Sequence, residues 1–413
     1  MSSEQTCLII GASHGGVNAA FALRKNGWKG AIHLYDSDPA LPYHRPPLSK
    51  GYLKGTDTIE QNILKSAAAY EEANIELHLG QNVEAIDPEA RSIQLSGGEN
   101  IAYDQLILAC GARPLVPPIP GLKDNERVFT LRTAADAQSI REAFAASSQK
   151  RVVVIGGGYI GLETAAALRQ LGATVQILER EERILSRVTS TEMAQFFTEL
   201  HQSKGVDILT GKEVSSIESK DSAAKVICSD QSVYLADLVI LGVGVRVNTV
   251  LARQAGLRID NGIQVNAHCQ TSDSNIYAIG DCTSFYHPHY QRQLRLESVQ
   301  NALDQARVAA ANICGQVESY TAIPWFWSDQ YDIKLQIVGL SQGYTKAIVR
   351  KEKESQAFSV WYFRESELLA VDAVNNARAY LLGGKIIQSR KVMDQKKLID
   401  PDLPLKPSTL LIK

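Results

Sequence analysis

The chain has 413 residues, 45% hydrophobic and 21% charged. These are ordinary values for a globular protein with room for two or three apolar cores, and they exclude a disordered, fibrous or small disulfide-stapled chain. Lys and Arg number 43 against 45 Asp and Glu, a formal charge of -2, so no global field favours nucleic acid or an anionic membrane as partner.

The first residues, a polar stub and a short apolar run broken at Gly11, are too short and too uncharged for a signal peptide or a spanning helix, so a cytoplasmic protein without membrane insertion is expected. Residues 7–36 predict an apolar strand, a glycine turn, a helix rich in Ala and Leu, a second strand and a terminal acid, Asp36; this is one βαβ unit. Its turn, Gly11-Ala12-Ser13-His14-Gly15-Gly16, carries Ser13 where the dinucleotide fingerprint has its middle glycine, a small enough replacement. Residues 101–113 predict a strand ending in Ala109-Cys110-Gly111. Residues 151–179 repeat the first layout with the full G-x-G-x-x-G at Gly156, Gly158 and Gly161, followed by the acid Glu179. Residues 276–282 predict another strand, ending in Gly280-Asp281, where Asp281 reads either as an acceptor for a ribityl hydroxyl or as a helix N-cap.

In each unit the glycines let backbone N–H groups and a helix N-terminus approach a pyrophosphate, whose charge the helix dipole favours. Glu179 is spaced to accept from a ribose diol and would repel a 2′-phosphate, favouring NADH over NADPH, although Arg180 and Arg183 follow closely and can soften that preference. Two dinucleotide units in one chain imply a reaction between their ligands, most simply a tightly held flavin and an exchangeable nicotinamide.

Other features are weighed on their own terms. His287 and His289 form an H-x-H with no third ligand in view, so a surface loop and no metal centre are expected. Trp325-Phe326-Trp327, read alone, is core. The six cysteines (Cys7, Cys110, Cys228, Cys269, Cys282 and Cys314) show no C-x-x-C, C-x-x-H or framework spacing, which argues against disulfide staples, a structural zinc, an intrinsic iron–sulfur cluster and a redox dithiol. Residues 383–413 hold Lys385, Arg390, Lys391, Lys396, Lys397, Lys406 and Lys413 against Asp394, Asp400 and Asp402. This is either a docking face for an acidic partner, extended by Arg292, Arg295 and Arg307, or a solvated tail.

The segments Arg45-Pro46-Pro47-Leu48-Ser49-Lys50, Gly156 to Glu163, Thr271-Ser272-Asp273 with Ile276 to Cys282, Glu297-Ser298-Val299 and Trp325 to Gln330 resemble, nearly end to end, the putidaredoxin-reductase-like family of FAD-dependent NADH:ferredoxin and rubredoxin reductases. These are relatives of the glutathione-reductase-like flavoproteins and of apoptosis-inducing factor. The resemblance implies an α/β fold with two Rossmann-like dinucleotide-binding domains and a C-terminal α+β domain: FAD at 1–112 and 246–325, NAD at 113–245, and the C-terminal domain at 326–413. It implies FAD contacts at the turn Gly11, Ser13, Gly15 and Gly16, at Asp36 or Ser37, and at Arg45, Lys50, Val83, Ala109, Gly111, Arg132, Gly280, Asp281, Ser298, Val299 and Trp327. It implies NAD contacts at Gly156, Gly158, Tyr159, Ile160, Gly161, Glu163, Glu179 and Gly244.

By the same resemblance Lys50 and Glu163 come from different nucleotide domains and form a charge pair beside the flavin, where the cation stabilises negative charge on reduction. A domain-locking ion pair is the plainer reading of the same residues. Trp327 lines the nicotinamide site and Trp325 is core. The implied carrier is a [2Fe-2S] ferredoxin feeding a cytochrome P450 or Rieske-type oxygenase, or a rubredoxin of an alkane hydroxylase system. Rival functions are an NADH-sensing flavoprotein like apoptosis-inducing factor and an NADH oxidase with a single reactive cysteine.

Overall fold

Thr6–Ile10 (β1) is almost wholly buried, as the middle strand of a parallel sheet covered on both faces must be. The helix His14–Lys25 (α1) carries the chain back to Ala31–Asp36 (β2), which pairs in parallel with β1 in the register Thr6 opposite Ala31. Glu76–Leu79 (β3) lies outside β2, and Gln105–Leu108 (β4) flanks β1 on its other side. Ile276–Ala278 completes the five-stranded sheet, whose order is Ile276–Ala278, β4, β1, β2, β3.

The second βαβ unit folds alike. Arg151–Ile155 (β5), the helix Tyr159–Gln170 (α2) and Thr174–Leu178 (β6) set the register Arg151 opposite Thr174. The helix Thr191–Ser203 (α3) leads to Val206–Leu209 (β7), and Leu238–Leu241 (β8) joins the far side of β5. With Val128–Phe129 at the other edge the order is β7, β6, β5, β8, Val128–Phe129, all parallel. Each half also carries a three-stranded antiparallel sheet, Val83–Asp87 to Asn100–Ala102 in one and Val214–Lys220 to Val233–Ala236 in the other.

The C-terminal sheet is antiparallel throughout. Its strands are Trp325–Gln330 (β9), Ile333–Gly339 (β10), Lys346–Lys351 (β11), Phe358–Arg364 (β12) and Glu367–Val374 (β13), in the order β9, β10, β13, β12, β11. The helix Ala377–Ser389 (α4) covers one face, closing a core of Val338, Trp361, Phe363, Val371, Leu382 and Ile386.

The computed structural model describes residues 4–220, 223–353 and 357–412. The chain divides into two compact units, one holding the residues up to Arg45 with Ile59–Arg113 and Val245–Ala322, the other Pro46–Thr58, Pro114–Gly244 and the residues from Ile323 onward. Segment 46–58, with Lys50, therefore groups with the second βαβ unit and not with the first, where the resemblance put it. The reason is packing: its helix Gly51–Lys54, with Leu53 fully buried, lies against Ala134–Ala146 and α2. Among the described residues no helix is long and apolar enough to cross a membrane.

Candidate functional site

Both fingerprint turns require glycine for close approach. Gly11 has φ +107° and a Cβ there would lie 2.3 Å from the Ala109 carbonyl, while one on Gly16 would lie 1.8 Å from the Gly11 carbonyl. In the second turn Gly156 (φ +102°) is held 2.6 Å from the Gly242 carbonyl by the same measure, and Gly161 packs on the Gly156 carbonyl. Gly158 differs, since its added Cβ meets nothing nearer than 3.8 Å. Glycine there keeps the backbone open on its outer side.

Among the described helices of ten or more residues the N-termini separate into two kinds. Thr133, Ser190, Ser298 and Asn376 cap their helices with side chains, whereas no side chain caps α1 or α2. The uncapped first-turn N–H groups of α1 and α2 need acceptors, and a pyrophosphate is the group that suits them.

The two acids are held alike. Asp36 Oδ2 accepts from the Ala12 N–H at 2.5 Å and Oδ1 from the Asp38 N–H at 2.8 Å. Glu179 Oε2 accepts from the Gly157 N–H at 2.7 Å and Oε1 from the Glu181 N–H at 2.9 Å. Asp36, not Ser37, is thus the counterpart of Glu179, and each carboxylate keeps lone pairs for a ribose diol. Both neighbouring arginines have partners within the chain. Arg180 pairs with Glu181 at 2.8 Å, and Arg183 spends its guanidinium on the carbonyls of Leu185, Ser186, Thr189 and Ser190.

In the first unit a recess gathers Ala12, Ser13, Asp36, Asp38, Tyr43 and Arg45. Arg45 donates to Ser13 Oγ at 3.0 Å and lies over the Tyr43 ring, and Tyr43 donates to Asp38 at 2.7 Å. Tyr43 and Asp38 were not anticipated, although they flank a predicted acid and RPPLSK. Val83 is buried beside a bulge. Ala109 binds back to the Ile10 carbonyl, Gly111 (φ +59°) accepts from Asn248, and Gly280 donates to Gln305 at 2.7 Å. Asp281 lies inside the short helix Gly280–Cys282, whose N-cap is Ile279, so the capping reading of Asp281 fails. Ser298 Oγ caps the helix Val299–Ile313, which leaves the backbone at Ser298 and Val299 to do any binding.

In the second unit Arg132 precedes the capping box of Ala134–Ala146, and Gly244 (φ +111°) accepts from Leu115. Tyr159 lies against Phe326, and its buried hydroxyl has no hydrogen-bond partner among the described residues. Ile160, beside it, is 48% exposed.

The same unit brings Lys50 to Glu163. Lys50 Nζ donates to Glu163 Oε2 at 2.6 Å and to the Pro46 carbonyl at 3.3 Å, and Ser49 Oγ donates to the same carboxylate oxygen at 2.6 Å. The other oxygen accepts from Ser328 Oγ at 2.6 Å. Behind Ser328 the donors keep one direction: Gln330 Nε2 donates to Ser328 at 3.1 Å, and His201 Nε2 donates to Gln330 Oε1 at 2.8 Å. Burial pushes His201 down to about 4, so it is the neutral imidazole that completes the line. Glu163 is thus an almost fully buried carboxylate fixed on both oxygens with one cation beside it.

Trp327 leaves β9 one residue before Ser328 and on the opposite face, half-buried. Trp325 is 36% exposed, 5.7 Å from Trp327, and so is not the core residue expected; the alternation that turns Phe326 and Ser328 toward α2 turns both indoles the other way. All six cysteines are unpaired, and burial pushes the Cys282 thiol up to about 12, far from a reactive thiolate. Lys385, Arg390, Lys391, Lys396, Lys397 and Lys406 are exposed, while Lys413 lies outside the described residues. Arg295 and Arg307, in the other unit, pair with Glu297 and Glu318.

Residues 5–306 match the family model described as pyridine nucleotide-disulphide oxidoreductase, and residues 325–409 the one described as reductase C-terminal. The chain is 43% identical to a putidaredoxin reductase of Pseudomonas putida over 98% of this chain and 97% of that one. It is 40% identical to rhodocoxin reductase of Rhodococcus erythropolis over 97% and 93%. The crystal structure of a covalent putidaredoxin reductase–putidaredoxin complex matches it with a TM-score of 0.93 and 42% identity, covering 98% of both chains. With two duplicated dinucleotide turns and these full-length likenesses, the chain belongs to the pyridine nucleotide-disulphide oxidoreductase family.

Proposed function

We propose that the chain is an FAD-dependent NADH:ferredoxin reductase, acting in the cytoplasm and delivering electrons to a [2Fe-2S] ferredoxin that serves a cytochrome P450 or Rieske-type oxygenase. The observation that carries this reading is the doubled turn, each with an uncapped helix N-terminus and an acid held by two backbone N–H groups in equivalent positions. The full-length likeness to putidaredoxin and rhodocoxin reductases supports the choice of carrier.

The residues of the first unit fit FAD. The recess lined by Ser13, Asp36 and Arg45 offers a hydroxyl, a ribose acceptor and a cation beside the open N-terminus of α1. When bound, FAD would take two electrons from NADH together and release them singly to the iron–sulfur carrier. The chain's own residues hold and orient. Gly156, Gly158 and Gly161 admit the pyrophosphate of NADH, and Glu179 selects its ribose. Lys50 supplies positive charge, its ammonium group fixed by Glu163, which Ser49 and Ser328 hold in turn, and Trp327 offers a planar face that excludes water. All six cysteines are free and none is paired with another as a redox dithiol, which is in keeping with an external carrier receiving the electrons.

The test is NADH-driven cytochrome c reduction by the flavoprotein with a [2Fe-2S] ferredoxin, with rubredoxin, or with neither. Turnover dependent on ferredoxin supports the reading, and turnover with rubredoxin alone replaces the carrier. Flavin bleaching without turnover through either carrier would sink the reductase assignment in favour of a sensing flavoprotein.

A further inference from the structure

Strands β2 and β3 place three ligating side chains on one face of the first unit, none of them a residue of the site described above. In the register of the pair, His33 stands opposite Glu76 and Tyr35 opposite His78, and the two-residue period of a strand turns all four to the same side. Three donor atoms converge there. His33 Nδ1 lies 3.0 Å from His78 Nε2 and 3.3 Å from Glu76 Oε2, and His78 Nε2 lies 3.9 Å from the same oxygen. The edge of a tetrahedron around a zinc ion with bonds of about 2.0–2.1 Å is about 3.3 Å, close to these separations.

We propose that His33, Glu76 and His78 form a binding site for one divalent zinc-class ion, with an open fourth position for water. Two imidazoles and one carboxylate select zinc over calcium or magnesium, which prefer all-oxygen shells. The site is partly built without the ion. The Tyr35 ring stacks on His78 at 4.4 Å and 10°, fixing the imidazole plane. A bound ion would clip β3, the outermost strand of its sheet, to β2 three residues before Asp36.

The experiment uses the full-length flavoprotein, freed of metal with a chelator and titrated calorimetrically with zinc chloride. One ion per chain is expected in the micromolar range or tighter. His33→Ala and His78→Ala are each expected to weaken binding by about 100-fold or more, and Glu76→Gln by about tenfold. An unchanged flavin spectrum in each variant shows that the fold persists. Thermal melting supplies a second readout, with zinc raising the midpoint of the wild type and not that of the variants. No binding below 100 micromolar zinc, on the order of a non-specific surface affinity, would overturn the site. So would undiminished binding in the double variant His33→Ala/His78→Ala, which would put the ion elsewhere.

Discussion

At Glu163 three donors meet on two oxygens, and two of them, Ser49 and Ser328, are neutral hydroxyls. The carboxylate is therefore pinned whether or not Lys50 is present, and replacing the lysine tests its charge more than its architecture. Lys50→Met is expected to slow reduction of the flavin by NADH about 10- to 100-fold in single-turnover stopped flow. An unchanged rate would leave the pair a purely structural ion pair. Glu179 gives a second test at this scale, because Arg180 and Arg183 both have other partners. Glu179→Gln should cut the preference for NADH over NADPH, measured as the ratio of kcat/KM values, about tenfold, equivalent to about 1.4 kcal/mol. Lys50 and Glu163 were legible because each sits in a short distinctive segment. Ser328, 165 residues from Glu163, and His201 were not, since nothing local marks a serine or histidine that acts through a distant carboxylate.

At the scale of elements, β9, α3 and the strand pair β12 and β13 bury two titratable groups with opposite consequences. His201 is held at about 4 against an ordinary 6.5. Between those values the unfolded chain takes up a proton that the native chain refuses, so native stability falls as the pH drops from 6.5 to 4, by about 3 kcal/mol. Asp372, on β13 and bound by Thr189 and Tyr362, is raised by burial to about 6. Between 6 and 3.8 the native chain keeps a proton that the unfolded chain gives up, so this group adds stability on acidification. The two largely offset one another. His201→Gln should therefore lose less stability than the wild type between pH 6.5 and 4.5 in denaturant titrations; an equal or greater loss would show that His201 is protonated in the fold. The βαβ units themselves were readable because strand, turn, helix and acid are local signals. The grouping of segment 46–58 and the exposure of Trp325 were not, since both depend on which distant surface packs against the segment.

At the scale of the whole molecule, the near-neutral total charge conceals a basic stretch around Lys385, Lys391, Lys396 and Lys406, all exposed. If it receives an acidic carrier, the rate of ferredoxin reduction should fall about tenfold or more between low and high salt, while flavin reduction by NADH stays nearly constant. A carrier rate independent of ionic strength would remove the docking role and leave a solvated tail. The presence of two like parallel units was legible from the internal repeat, whereas the strand order of each sheet was not. The paired three-stranded antiparallel sheets, a second level of the same duplication, escaped notice because their strands are short and weakly patterned.

Ile160 stands nearly half exposed at the first turn of α2, beside the glycines that open that turn. An aliphatic side chain left in water is apolar area that a dinucleotide bound against this turn would cover. Calorimetric titrations with NAD+ at several temperatures should accordingly show a negative heat-capacity change, smaller in magnitude for Ile160→Asn, and a value near zero would mean that the nucleotide leaves this side chain in water.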